Sequence, residues 1–125
     1  MTIGLILFAH GARDPRWAEP FEAVAAQVLA TRPGVAVRLA FLEFMTPTLA
    51  EAAAELAAMG CATVQVLPMF LGAGGHVRKD LPRLLGDVQA AHPQMQVTLT
   101  TAVGELPSVV SAMAAAAVTL LEPQR

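Results

Sequence analysis

One pattern occurs four times along the chain: a short apolar run, a loop with Gly or Pro, and an alanine-rich stretch with helical spacing. The runs predict strands at residues 3–9, 35–42, 63–70 and 96–102. They are nearly continuous rather than alternating, which is typical of parallel strands buried on both faces. The intervening stretches predict helices at about residues 15–31, 47–59, 77–91 and 105–121.

Strands and helices that alternate in this way predict one α/β domain over residues 1–125. We expect an open four-stranded parallel sheet with helices on both faces and right-handed crossovers. The last helix, "LPSVVSAMAAAAVTLL", is expected to cover its own sheet, although its alanine-rich surface would also suit a partner.

The composition argues against several classes of protein. A net charge of −2, without a block of Lys or Arg, gives no general attraction to nucleic acid or membrane surfaces. The single cysteine, Cys61, excludes an intrachain disulfide framework and fits a reducing cytoplasm. The first residues lack signal-peptide features, and polar residues and glycines interrupt the uncharged stretch at 56–77. We therefore expect a soluble cytoplasmic protein.

Polar residues follow the first three predicted strands. His10 follows the first strand, Glu43 the second, and "LGAGGH", ending in His76, the third. Ligands of open parallel sheets bind at the carboxyl ends of the strands, so these groups should meet at one edge. Each also has a structural explanation: either histidine can be a hydrogen-bonding residue at a strand end, and Glu43 a solvated terminus.

The glycines of this loop, Gly72, Gly74 and Gly75, permit two interpretations. They could satisfy a tight turn with positive φ, or cradle an anion before a helix N-terminus. The spacing matches neither the P-loop nor the dinucleotide-binding fingerprint.

Two imidazoles and a carboxylate suit borderline divalent ions such as cobalt, nickel, iron or zinc. Because no cysteine lies near either histidine, a tight structural zinc site is not indicated. Histidine also accepts protons near neutral pH. The edge could thus combine weak metal binding with proton abstraction.

Five of the eight basic residues lie in the loops or first helical turns after the two histidines. Cations at helix N-termini are mildly unfavourable to the helix dipole, so an anionic ligand would explain them. Ordinary ion pairs with Asp14, Glu19 and Asp80 would explain them equally well. The five are Arg13, Arg16, Arg78, Lys79 and Arg83.

Three motifs, "HGARDPRW", "FLEFMTPTLAEA" and "VLPMFLGAGGHVRKDLP", resemble the CbiX/SirB group of class II chelatases in order and spacing. The resemblance covers the first two-thirds of the chain. It implies a flavodoxin-like chelatase domain of the short form, which acts as a homodimer and inserts a divalent metal into sirohydrochlorin.

The resemblance also implies roles for individual residues. His10 would bind metal and accept a proton, His76 would be the second metal-binding histidine, and Glu43 the associated carboxylate. Met45 or Thr46 would be a further substrate contact. The loop that contacts the tetrapyrrole would comprise Phe70, Leu71, Gly72, Ala73, Gly74 and Gly75.

Two positions depart from the family pattern. Ala12 stands where serine is usual, and "GELP" near Gly104 replaces Gly-x-His-Pro, so Glu105 would have to take any role of that histidine. Neither change removes His10 or His76.

The activity we expect is ATP-independent insertion of Co²⁺, or of Fe²⁺ or Ni²⁺, into sirohydrochlorin, without a permanently bound cofactor. Apolar residues, with Phe44 among them, would form a floor, and Arg13, Arg78 and Lys79 would bind substrate carboxylates. A non-catalytic metal or tetrapyrrole carrier and a flavodoxin-like phosphate- or nucleotide-binding module are the alternatives. The choice of metal, and between the cobalamin and sirohaem pathways, stays open.

Overall fold

The computed structural model describes residues 2–72 and 74–123, without the side chains of residues 76–78. Strands and helices alternate along the chain. The strands are β1 (Thr2–Ala9), β2 (Ala36–Phe41), β3 (Cys61–Pro68) and β4 (Gln96–Leu99). The helices are α1 (Glu19–Thr31), α2 (Leu49–Ala58), α3 (Gly75–Ala91) and α4 (Pro107–Thr119), with 3₁₀ turns at Pro15–Ala18 and Val103–Glu105.

The four strands form one parallel sheet in the order β2-β1-β3-β4. The predicted α/β fold with four parallel strands is confirmed. β3 and β4 end two and three residues earlier than predicted. The apolar residues beyond them form loops at the sheet edge, and single hydrogen bonds, such as Thr100 N–H to the Val66 carbonyl, extend the ladder.

The larger core lies between the sheet and helices α2 and α3. Ile6, Phe8 and Val66 from the central strands are buried against Leu56 of α2 and Leu85 of α3. This core fixes the carboxyl ends of β1 and β3, and therefore the residues that follow them.

A smaller core lies on the other face, under α1. Ala9, Ala18 and Phe41 are buried there, with Trp17 and Phe21 packed 4.8 Å apart beside them. α1 contacts β2 and β1, and on the same face Gln65 of β3 and Thr98 of β4 are exposed. Half of this face is therefore uncovered.

Helix α2 begins two residues after the predicted start because Thr48 caps it. The Glu51 N–H donates to the Thr48 hydroxyl, and the Thr48 N–H donates to the Glu51 carboxylate. This capping box satisfies two N–H groups that have no partner within the helix.

Helix α4 does not cover its own sheet, contrary to our expectation. It has no buried residue, and its main contacts are with the turn Val103–Glu105. Val110 is 50% and Val118 56% exposed, although both are apolar. The sequence marks α4 as apolar, but among the described elements its main packing partner is this short turn.

Within residues 2–72 and 74–123, no helix combines the length and apolarity needed to cross a bilayer.

Candidate active site

The ends of β1 and β2 hold His10 and Glu43 side by side. The ladder continues past both strands, since the Leu42 N–H donates to the Ala9 carbonyl and the Glu43 N–H to the His10 carbonyl. Gly11 makes this approach possible: its φ is +96°, and a Cβ there would overlap the Glu43 carbonyl oxygen. The pairing of β1 with β2 thus positions both side chains.

The His10 Nε2 lies 3.4 Å from Glu43 Oε1, and each side chain is about half exposed. Phe70, which follows β3, presents its ring edge-on to the imidazole, with ring centroids 6.0 Å apart. The Phe70 ring also lies 6.4 Å from that of buried Phe8, which anchors it to the core. The predicted meeting of His10 and Glu43 at one sheet edge is therefore present.

These groups line a cleft of about 370 Å³, which we call the edge cleft. Its walls come from the ends of β1, β2 and β3 and from the first half of α3. A mainly apolar surface here surrounds one imidazole and two carboxylates. The lining residues are His10, Leu42, Glu43, Phe70, Asp80, Leu81 and Leu84.

Asp80 is the cleft residue that sequence reasoning assigned only to an ion pair. It does form one, with Arg83 Nη2 3.6 Å from Asp80 Oδ1, but Asp80 also lines the cleft. The sequence does carry a signal for this. Asp80 and Leu84 are four residues apart on one face of α3, and residue 76 belongs to the same row of positions.

His76 is the second residue of α3, which places its backbone beside the edge cleft. The side chains of His76 and Arg78, and the whole of Ala73, lie outside the described residues. Their roles therefore stay predictions.

Met45 and Thr46 lie on a different side of the sheet edge. Met45 packs against the smaller core under α1, and both residues line a separate groove of about 450 Å³ beside Pro15 and Arg38. The residue before them, Phe44, has φ +67°. Met45 and Thr46 do not appear in the described lining of the edge cleft, and their role as substrate contacts stays a prediction.

The glycine-rich loop before α3 does not use the predicted positive φ. Among the described residues, the glycines with positive φ are Gly11 and Gly60, while Gly74 is extended at φ −70° and ψ 166° as the N-cap. A Cβ on Gly72, Gly74 or Gly75 would meet no atom of the described part of the chain within 4 Å. The loop presents open backbone beside the cleft rather than a strained turn.

Leu71, at the start of this loop, is 73% exposed. The loop rests on the last 3₁₀ turn, where the Gly104 N–H donates to the Phe70 carbonyl at 2.9 Å. A Cβ on Gly104 would overlap the Leu71 backbone. Glu105, next to Gly104, lines a neighbouring pocket with Thr100.

The predicted cations differ in whether they form an ion pair with a carboxylate of the protein. The Arg16 guanidinium forms two hydrogen bonds with Asp14, which lowers the pKa of that carboxyl together with the Arg16 backbone N–H. The Arg13 guanidinium lies 5.0 Å from the centre of the exposed Phe44 ring, and the described lining of the edge cleft does not include Phe44. Arg16 is thus an ordinary surface ion pair, whereas Arg13 has no carboxylate partner among the described residues.

His92 and Cys61 lie outside the edge cleft and have structural roles. His92 is the C-cap of α3, with its backbone N–H donating to the Val88 carbonyl. Cys61 is buried in the larger core, and this burial raises the pKa of its thiol.

Fold and site together define an open parallel α/β protein whose ligand edge carries an imidazole–carboxylate pair in an apolar cleft. A family model described as CbiX matches residues 4–119. The chain belongs to the CbiX family.

Curated relatives carry the name sirohydrochlorin cobaltochelatase. That of Saccharolobus solfataricus is 37% identical over 84 residues, which cover 67% of this chain and 64% of the relative. That of Methanococcoides burtonii is 31% identical over 83 residues, covering 66% of this chain and 63% of the relative. The matches thus span a little under two thirds of these relatives.

Solved structures share the fold. A cobalamin (vitamin B12) biosynthesis CbiX protein from Marinobacter aquaeolei VT8 superposes with a TM-score of 0.83 at 30% identity, covering 95% of this chain and 97% of that one. The sirohydrochlorin chelatase SirB from Bacillus subtilis, in complex with cobalt, has a TM-score of 0.80 at 19% identity. The match covers 96% of this chain but 51% of SirB, so this fold corresponds to half of the longer protein.

Proposed function

We propose that this protein inserts a divalent metal ion into sirohydrochlorin without ATP. The observation that carries the proposal is the His10–Glu43 pair, 3.4 Å apart in the edge cleft of a CbiX-family fold. The curated relatives named for this activity support the choice of substrate.

The spacing of the pair suits two ligands of one ion. Imidazole nitrogen and carboxylate oxygen each lie about 2.0–2.2 Å from zinc-like ions, and in tetrahedral geometry two such ligands are about 3.4 Å apart. His10 Nε2 and Glu43 Oε1 have that separation. We therefore assign Glu43 as a direct metal ligand beside His10, with His76 as the third ligand.

An open site of this kind serves a metal that must leave. Both described ligands are about half exposed, so the ion keeps access to solvent and to the macrocycle. Weak binding by such an open site would favour transfer to the four pyrrole nitrogens.

The cleft also suits a flat tetrapyrrole with carboxylates at its periphery. Phe70 and Leu42 offer apolar surface beside His10, and exposed Leu71 extends it. Arg13, Arg78 and Lys79 would bind the peripheral carboxylates. The open glycines of the loop at 72–75 would let the ring approach the backbone closely.

We further propose that the protein acts as a homodimer. An α4 helix of 13 residues is about 20 Å long and about 10 Å across. The uncovered half of the sheet face, at Gln65 and Thr98, lacks a helix. Reciprocal packing of α4 there in two copies would cover both the apolar helix and the uncovered half of the face.

Co²⁺ is the metal that the relatives' names favour, with Fe²⁺ and Ni²⁺ as alternatives. The metal is a substrate, and we propose no permanently bound cofactor. A cytoplasmic location fits the buried free thiol of Cys61.

The test is to mix purified protein with sirohydrochlorin and Co²⁺, Fe²⁺ or Ni²⁺, without ATP, and to follow the absorption change. We expect turnover above the spontaneous rate with at least one ion. Binding of metal or tetrapyrrole without turnover would instead establish the carrier function. Affinity for FMN or a nucleotide without metal would support the phosphate-binding alternative.

His10→Ala should lower kcat by about 10²-fold or more, because it removes both a metal ligand and a proton acceptor. His92→Ala is the control, since His92 lies at the far end of α3, and its kcat should match the wild type. Wild-type kcat in both His10→Ala and His76→Ala would overturn the assignment of the two histidines.

A further inference from the structure

Asp80 is an acidic residue that lines the edge cleft but is not one of the proposed metal ligands. The described titratable groups that line the edge cleft are His10, Glu43 and Asp80. His10 and Glu43 are close enough to share an ion, but Asp80 joins no metal-holding cluster with them among the described side chains. It faces the same cleft from α3, outside the coordination distance of that pair.

The proposed reaction releases two protons from the macrocycle. When a divalent ion enters, two pyrrole N–H bonds break, and each electron pair stays on nitrogen to bind the metal. The proposed ligands can take a proton only after the ion has left them, as His10 can once Nε2 is free. A second acceptor that does not hold the ion can take a proton from another side of the cleft while the ion is still bound.

We propose that Asp80 is this second proton acceptor. The inference rests on the proposed function. The Asp80 carboxylate forms an O–H bond with one pyrrole proton, while the His10 imidazole forms an N–H bond with the other. The two leave the ring as the ion enters, so charge is conserved.

The surroundings of Asp80 fit this role. Arg83 Nη2 lies 3.6 Å from Asp80 Oδ1 on the same helix and is the cation beside it. His10 and Glu43 face it across the cleft, and Lys79 is its exposed neighbour in sequence. Half of the Asp80 side chain is exposed, so a captured proton can pass to water before the next turnover.

The floor beside Asp80 favours contact with the macrocycle rather than with its periphery. Leu81 and Leu84 of α3 lie next to it in the cleft, opposite Phe70. A carboxylate at the rim would repel the substrate carboxylates, whereas one facing the ring centre would accept hydrogen bonds from pyrrole N–H groups. The apolar neighbours place Asp80 where the flat ring would lie.

The experiment compares Asp80→Asn with Asp87→Asn in the wild-type background. Both variants remove one negative charge from α3, but Asp87 is exposed and lines a separate small cleft between α2 and α3. We expect Asp80→Asn to lower kcat by about 10²-fold with KM little changed. Asp87→Asn should have the kcat of the wild type. The affinity for Co²⁺ alone, titrated by visible absorption, should be equal in all three proteins.

Chemical rescue separates proton transfer from a structural role. Asp80→Ala opens space beside Leu84, and added formate should restore part of kcat there but not in His10→Ala. Equal kcat in Asp80→Asn and Asp87→Asn would overturn the assignment, as would a weakened Co²⁺ affinity in Asp80→Asn. Absence of wild-type turnover with every metal would overturn the proposed function and the assignment with it.

Discussion

Gly11 shows how much of the site depends on one backbone position. Its positive φ and its contact with the Glu43 carbonyl let the ends of β1 and β2 meet, so the distance from His10 to Glu43 depends on a residue with no side chain. The sequence predicts a histidine and a glutamate at one edge. It does not predict why they meet closely, because the cause is a backbone contact between Gly11 and Glu43, which are 32 positions apart in the sequence.

Gly11→Ala should therefore lower both stability and kcat. The new methyl group must displace the Glu43 backbone, at a φ that L-residues rarely adopt. Gly86→Ala is the matched control: Gly86 lies inside α3 with open space around it, and alanine there should stabilise by about 0.5–1 kcal/mol. Urea unfolding and the chelatase assay measure both effects. A Gly11→Ala protein as stable and active as the wild type would contradict the proposed constraint.

At the residue scale, the sequence contains information on cleft residues that motif matching does not use, and Asp80 is the example. Spacing along α3 carries the signal for Asp80, because a residue four positions after His76 shares its face of the helix. The family resemblance predicts Met45 or Thr46 as a substrate contact, and this stays a prediction. The positive φ of Phe44 beside them cannot be predicted from the sequence, because phenylalanine rarely adopts that conformation.

The elements were largely predictable because each strand is an apolar run and each helix has a recognisable stop. The first residue of a helix is harder to predict from the sequence. Pro47 is compatible with the first turn of a helix, but Thr48 is a better N-cap, so α2 begins at Leu49. The end of β4 was overestimated because the apolar Ala102 belongs to the turn that follows.

Thr48→Ala should destabilise the protein by about 1 kcal/mol, since it removes the side-chain acceptor for the Glu51 N–H. Thr31→Ala is the control, because the exposed Thr31 hydroxyl only donates to a carbonyl within α1, and its effect should stay within about 0.5 kcal/mol. Equilibrium urea unfolding compares the two. Equal stability of both variants would show that the capping box contributes nothing measurable.

At the scale of the whole molecule, helix α4 does not cover the sheet, and on the side of α1 the half of the sheet face formed by β3 and β4 is not covered by a described helix. The sequence predicts four α-helices that cover both faces of the sheet. The four helices are present, but α4 does not lie on the sheet. Local patterns fix where a helix forms. They carry no information on whether its apolar surface packs within the same copy of the chain.

Ala116→Glu should shift the protein from dimer to monomer, because Ala116 is exposed on α4 and a charge there would have to be desolvated in the proposed interface. Ala54→Glu is the matched control, since Ala54 is exposed on α2. Sedimentation velocity should give a monomer for the first variant and a dimer for the second. A monomeric wild type at micromolar concentration would contradict the dimer.

The short turn Val103–Glu105 lies between the loop that begins at Phe70 and helix α4. On one side the Gly104 N–H holds Phe70, and on the other side the turn is the main contact of α4. A tetrapyrrole bound against Phe70 would shift this turn, and with it the N-terminus of α4, the helix that we propose to lie between two copies. Substrate binding and dimerisation would then be coupled. By thermodynamic reciprocity, substrate would change the dimerisation constant by the same factor by which dimerisation changes the substrate affinity.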